Sequence, residues 1–256
     1  MIGEKVKKRA ALLDLKDMND LLRPMKESWN RLYLHSANVA NFSLRIGDCL
    51  QLNEEEKNNL VKGALLHDVG KMFISREIIE KPGSLNEKEW DELKKHPWLG
   101  AFMVAEEGGD NSLVEIIRYH HERWDGRGYE GLVGDQIPLS ARIIALADSL
   151  DAMTSLRPYR MPLKMDEALK EVYNEAGSQF DPHLITVLAE KPFLQIATYC
   201  DPGRVERQIE AERDWLNYLA NSYVKLAHPL VYAQSQWLDR LFIISNQLQG
   251  CTASGE

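Results

Sequence analysis

Cysteine is scarce in this 256-residue chain: Cys49, Cys200 and Cys251 are odd in number and far apart, with no Cys-x-x-Cys pair. That usage excludes a disulfide frame or a zinc ribbon and fits reduced thiols in a cytoplasmic protein. Positive charge is short too, with 31 Lys and Arg against 39 Asp and Glu and a formal net charge of -8. A broad basic face for gripping DNA is therefore not expected, whereas a small anion gathered by a metal and a few local cations remains compatible. No run approaches the roughly 18 apolar residues of a membrane span, and the charged start has no signal-like apolar stretch after it, so membrane insertion is not expected. Period-two alternation is almost absent, which leaves an all-α fold.

Hydrophobic residues make up 44% and charged residues 27% of the chain, ordinary values for a globular protein able to bury its own core. Helical periodicity covers about 28–50. Asn53 with Glu56 forms a capping box for the next helix, which runs into His67 and Asp68, and Asn86 with Glu89 caps another that ends near His96. A helix opened by Asn111 or Ser112 ends in His120-His121. Residues 139–154 form a long helix behind Pro138, with Asp148 and Asp151 on one face, and two more helices fit 164–177 and 181–190. A break falls at Cys200-Asp201-Pro202-Gly203. Beyond it, two amphipathic stripes joined around His228-Pro229 predict a two-helix antiparallel hairpin, which needs a partner surface to bury its apolar side. The predicted division is a lead-in (1–27), a main helical domain (28–192), a linker (193–204), the hairpin (205–248) and a tail (249–256).

The chemistry centres on His67-Asp68-Val69-Gly70-Lys71, where an apolar helix delivers an imidazole and a carboxylate together and Gly70 lets the chain leave the helix. His35, His96, His120, His121 and Asp148 lie at helix ends or inner faces that folding can bring to it. Nitrogen and oxygen donors without thiolate suit Mn, Fe, Co or Zn, and an aspartate can bridge two such ions. His35, His67, Asp68 and Asp148 form one candidate set, and Asp68, His96, His120 and His121 a second. Two metals about 4 Å apart activate water and neutralise charge on a phosphoryl group.

Several stretches carry a family resemblance: His67-Asp68-Val69-Gly70-Lys71, His96-Pro97-Trp98-Leu99-Gly100, His120 through Tyr129, Ala147-Asp148-Ser149-Leu150-Asp151, Arg157-Pro158-Tyr159-Arg160 and Phe180-Asp181-Pro182. In order and spacing, over roughly 28–190, the chain resembles the HD superfamily of metal-dependent phosphohydrolases, and within it the HD-GYP branch that cleaves cyclic dinucleotides, chiefly cyclic di-GMP. The resemblance implies an HD-domain helical bundle and a phosphodiesterase that yields linear pGpG or GMP by attack of a metal-bridging hydroxide. Its cofactors would be two divalent ions, iron or manganese, held by His35, His67, Asp68, His96, His120, His121 and Asp148. Asp68, Lys71 and Asp151 would serve catalysis, Lys71 at the scissile phosphate and Asp151 behind a ligand or handling a proton. Tyr129, Arg157 and Arg160 would join Lys71 in holding the substrate. Another cyclic dinucleotide or nucleotide ester is the alternative substrate.

Two departures qualify this. The signature Gly-Tyr-Pro is here Gly128-Tyr129-Glu130 in a segment one residue shorter, which is expected to loosen the loop and to set a carboxylate against an anionic ligand. A carboxylate that gives some relatives a third metal is here Arg31, so two metals are expected.

In the hairpin, Ser235-Gln236-Trp237-Leu238-Asp239 resembles the Ser-Gln-Glu-Leu-Asp signature of small two-helix phosphatases that dephosphorylate the sporulation response regulator. That likeness implies a phosphorylated response regulator as partner, with Ser235, Gln236 and Asp239 at the aspartyl-phosphatase site. The other readings are a nucleotide-binding adaptor that engages a regulator, and a hairpin used for packing on the main domain or for forming a homodimer.

Overall fold

The computed structural model describes residues 18–155, 162–190, 202–222, 228–239 and 242. Its described residues are helical, with one single-residue bridge between Ala176 and Phe180 and no sheet, as the missing alternation predicts. The helices in chain order are α1 (Met18–Ser28), α2 (Asn30–Cys49), α3 (Glu54–Leu66), α4 (Arg76–Ile79), α5 (Glu87–Leu93), α6 (His96–Glu106), α7 (Asn111–Tyr119), α8 (Leu139–Thr154), α9 (Met165–Asn174), α10 (Pro182–Glu190) and α11 (Pro202–Ser222). A last helix, α12, spans 229–239. No described helix is long and apolar enough to cross a membrane.

Local signals explain the helix starts. Asn53 Oδ1 accepts the Glu55 and Glu56 N–H groups at 3.0 Å while Glu56 returns a bond to the Asn53 N–H at 2.8 Å. Asn86 and Glu89 repeat the device at α5. Three boundaries differ from the sequence reading, one being the helix expected over 164–177, which ends at Asn174. The helix capped by Asn86 ends at Leu93, and His96 opens a new helix, because Pro97 is free of penalty in a first turn and costly inside a helix. At α7 the cap is Asp110, whose carboxylate accepts the Leu113 N–H at 2.8 Å.

α2 is the central strut, packed on α3 and α8, while α3 and α6 both pack on α7. Leu44, Ile46, Leu60, Leu65, Ile117, Ile143 and Ile144 are almost wholly buried along these contacts. The same apolar cluster takes in Leu22 and Met25 of α1 and Leu219, Leu230, Val231 and Ala233 of the hairpin. The hairpin's partner surface is thus found within the chain.

Polar contacts fix that docking. Glu212 of α11 pairs with both Nη atoms of Arg45 on α2. Gln234 of α12 accepts from Asn41 Nδ2 at 2.8 Å and from Arg45 at 3.0 Å, and it donates to Glu212 Oε2 at 2.7 Å. Trp215 Nε1 donates to Asn41 Oδ1 at 2.7 Å, and its indole lies under the Arg45 guanidinium.

Candidate metal centre

Gly70 brings the first half of the site to the second. The turn Val69–Phe73 crosses the start of α6 so closely that a Cβ at Gly70 would sit 1.9 Å from the His96 carbonyl oxygen and 2.7 Å from the Gly100 nitrogen. Its need for glycine is close approach, and not the release from a helix that the sequence suggested. With the turn seated, Asp68 becomes the hub. His96 Nε2 lies 3.1 Å from Asp68 Oδ1 and His120 Nε2 3.9 Å from the same oxygen. On the other side, Asp68 Oδ2 is 3.4 Å from His67 Nε2, 3.6 Å from His35 Nε2 and 2.5 Å from the Lys71 ammonium.

Hydrogen bonds at the far side of the rings decide which nitrogens face inward. The Nδ1 atoms of His67, His96 and His120 lie 2.7, 2.8 and 2.7 Å from the carbonyl oxygens of Ala64, Leu93 and Ile117, three residues upstream in each case. A carbonyl only accepts, so each Nδ1 carries a proton, and in the neutral ring it is Nε2 that presents a lone pair to the site. His96 Nε2 then faces His120 Nε2 at 3.3 Å and His121 Nε2 at 3.2 Å. The facing Nε2 lone pairs of His96 and His120 form no hydrogen bond with each other.

Protonation does not relieve that crowding. Burial, then the neighbouring imidazoles, holds His120 well below the usual histidine range, and burial with the nearby His96 lowers His121 to about 3. Burial lowers His96 as well. His67 Nε2 and Asp68 Oδ1 are buried without a hydrogen-bond partner; the His96 contact to Oδ1 has the distance of a hydrogen bond but not its geometry. Buried polar atoms left unpaired are costly, and these all converge on the same space. A divalent cation meets each of these demands at once. Candidate ligand atoms fall into two groups, each within 4.8 Å: Asp68 with His96, His120 and His121, and Asp68 with His35 and His67. Asp148 stands beside the second group, its Oδ1 3.1 Å from His35 Nε2.

The other predicted residues take distinct places. Asp151 stands behind His35, its Oδ2 2.6 Å from Nδ1, and is itself held by Asn38 at 2.8 Å and Ser155 at 2.7 Å. Burial alone would lower His35, but its bonds to Asp148 and Asp151 outweigh this and raise it to about 10. Asp68 and Asp148 stay ionised: burial opposes them, yet Lys71 and His67 hold the first, and His35 the second, below the ordinary carboxylate range. The Tyr129 ring lies 4.8 Å from that of His121, and burial with the charges of Asp68 and Asp148 pushes its phenol up to about 12, so it is a neutral donor. Arg157 and Arg160 lie outside the described residues. Arg31 is exposed on α2. In the hairpin Ser235 is half-buried, Gln236 and Asp239 are exposed, and Trp237 packs against the core.

Sequence reasoning missed the supports. Asn38 and Ser155 lie one helical turn from His35 and Asp151, a spacing that could have flagged both. Buried Glu122 also went unread; its two oxygens accept the Glu130 and Leu132 N–H groups at 2.6 and 2.7 Å. Glu130 is not loose, because Arg118 grips its carboxylate from Nε and Nη2.

Fold and site together define an all-helical protein whose buried donor cluster suits a divalent metal. Residues 16–184 match the family described as HD domain, and the chain belongs to that family. Residues 205–246 match the family described as Spo0E like sporulation regulatory protein. A cyclic di-GMP phosphodiesterase response regulator of Xanthomonas campestris is 37% identical over 205 residues, covering 73% of this chain and 54% of that protein. A probable cyclic di-GMP phosphodiesterase of Vibrio cholerae is 43% identical over 147 residues, covering 53% of this chain and 33% of that one. The chain thus spans about half and a third of their lengths. A 3'3'-cGAMP-specific phosphodiesterase of Vibrio cholerae is 36% identical over 61% of this chain and 30% of its own length. Among solved structures, an HDGYP-type protein of Bdellovibrio bacteriovorus, Bd1817, superposes with a TM-score of 0.52 at 22% identity over 73% of this chain and 61% of its own, a likeness of fold.

Proposed function

We propose that the chain is a metal-dependent phosphodiesterase that hydrolyses cyclic di-GMP to linear pGpG or GMP. The observation that carries this reading is Asp68, a buried carboxylate shared by two donor groups and capped by a lysine ammonium 2.5 Å away. His35, His67 and Asp68, with Asp148 beside them, would hold one ion, and Asp68, His96, His120 and His121 the other; iron or manganese fits this nitrogen and oxygen set. When bound, the metals supply Lewis acidity and an acidified water.

The remaining work falls to protein groups. Asp151 keeps the proton on His35 Nδ1, so that Nε2 faces the site. Lys71 brings positive charge to the scissile phosphate, with its charge shared with Asp68 until substrate arrives. Tyr129, its ring beside that of His121, offers a hydroxyl donor. Arg157 and Arg160 join the proposal through the family resemblance, as phosphate-binding forks. Relatives named for cyclic di-GMP and for 3'3'-cGAMP make the second dinucleotide the first alternative substrate to assay.

The test is incubation of metal-loaded protein, under anaerobic conditions with Fe(II) or Mn(II), with cyclic di-GMP beside Asp68→Ala. Linear products from wild type alone are expected. Equal hydrolysis by the variant would overturn the site, and no hydrolysis of any cyclic dinucleotide by wild type would overturn the activity.

A second reading concerns the hairpin. Its match over 205–246, with Gln236 and Asp239 exposed, supports docking of a phosphorylated response regulator on α12. We propose residues 28–192 as the phosphohydrolase unit and 205–248 as this docking element. Faster loss of phosphate from a receiver domain with wild type than with Asp239→Ala would support it, and equal rates would leave the hairpin a packing element.

A further inference from the structure

Among the described residues of the proposed site, Tyr129 is one that a loop, not a helix, holds in place. Its neighbours tie that loop to the end of α7, the helix that delivers His120 and His121. On one side, Gly128 lies so near Glu122 that a Cβ would come within 2.5 Å of the Glu122 Cα. On the other, Glu130 makes two attachments. Its N–H donates to Glu122 Oε1 at 2.6 Å. Its carboxylate receives Arg118 Nε at 2.8 and 3.1 Å and Nη2 at 2.8 Å. The second Glu122 oxygen holds Leu132 N–H at 2.7 Å.

A proline at 130 could make neither attachment, having no N–H and no charge. Proline would fix the loop by its ring; here the same place is fixed by a buried carboxylate and a forked ion pair. Neutralisation by Arg118 also offsets the repulsion that a carboxylate would otherwise direct at an anionic substrate.

We propose that Arg118 and Glu130 form a clamp that positions Tyr129 for the cyclic dinucleotide and stands in for the proline of the family signature. Both are positioning residues, since neither is placed on the reacting atoms. The substrate half of this inference rests on the phosphodiesterase reading; the clamp itself does not.

The experiment uses the full chain with two readouts. One is amide hydrogen exchange at Glu130 and Leu132, and the other is KM and kcat for cyclic di-GMP. Arg118 is partly exposed, so Arg118→Ala is expected to fold. Arg118→Ala and Glu130→Ala should each speed exchange at both amides. Because a partly exposed ion pair is worth up to about 1 kcal/mol, KM should rise by about two- to fivefold while kcat stays within about twofold. The charge-swapped double variant, Arg118→Glu with Glu130→Arg, should restore both. Unchanged exchange in both single variants would overturn the clamp. Faster exchange with an unmoved KM would overturn its role toward substrate. If wild type turns over no cyclic dinucleotide, the phosphodiesterase reading fails and the exchange data still decide the clamp.

Discussion

Two buried polar clusters share helix α2, and they are built on opposite rules. At the hairpin junction Arg45, Asn41, Glu212, Gln234 and Trp215 join in hydrogen bonds, each main donor meeting an acceptor. About two turns earlier on the same helix, His35 enters a cluster where His67 Nε2 and Asp68 Oδ1 are orphaned and imidazole lone pairs face one another. A satisfied network fixes a structure, whereas an unsatisfied one held open by its surroundings awaits something that is not protein. The difference separates a structural joint from a binding centre without reference to any relative.

The largest expected effect comes from breaking the joint. Glu212→Ala would leave the Arg45 guanidinium at a buried interface with only the neutral acceptors Asn41 and Gln234, and loss of one partner of a buried ion pair typically costs about 3–5 kcal/mol. Urea denaturation of the metal-free protein should show this as a lower midpoint. A midpoint within error of wild type would mean that the junction contributes nothing, and the comparison would collapse.

Next in size is a substitution at the edge of the open cluster. Asp151→Asn should lower the metal-free melting temperature, because it removes the charge paired with His35, and should free the His35 ring, lowering metal affinity by about 10- to 100-fold, as for other outer-shell partners. Competition with a chromogenic chelator would measure it. Unaltered affinity would place Asp151 with the structural residues instead.

The smallest effect is expected at Asp239. It is exposed on α12, so Asp239→Ala should shift stability by no more than about 0.5 kcal/mol and leave phosphodiester hydrolysis unchanged. A loss of phosphodiesterase turnover in that variant would show that the hairpin's outer face reaches the metal side.

The contrast also explains what the sequence made legible. Absence of strand alternation, the capping boxes at Asn53 and Asn86 and the long helix 139–154 are local signals, and the structure contains them. The donor residues were legible because histidine is rare and five of the seven in the chain fall at helix ends or inner faces. The joint was not, because Asn41 and Arg45, four residues apart, look like an ordinary solvated stripe until α11 and α12 cover them. Glu130 was misread for a related reason: its partner Arg118 lies twelve residues upstream, and no local rule brings a helix end to a loop over that distance. Pairings of sequence-distant polar groups are set by tertiary packing, which periodicity does not record.

Titration of Mn(II) or Fe(II) into the chelator-treated full chain, with bound metal counted and melting temperature followed, tests the central claim most directly. The account predicts about two equivalents per chain and a melting temperature that climbs with free metal by mass action, with both effects lost in Asp68→Ala. Wild type that takes up no metal, or Asp68→Ala that binds it equally well, would contradict the assignment of the cluster as a metal centre.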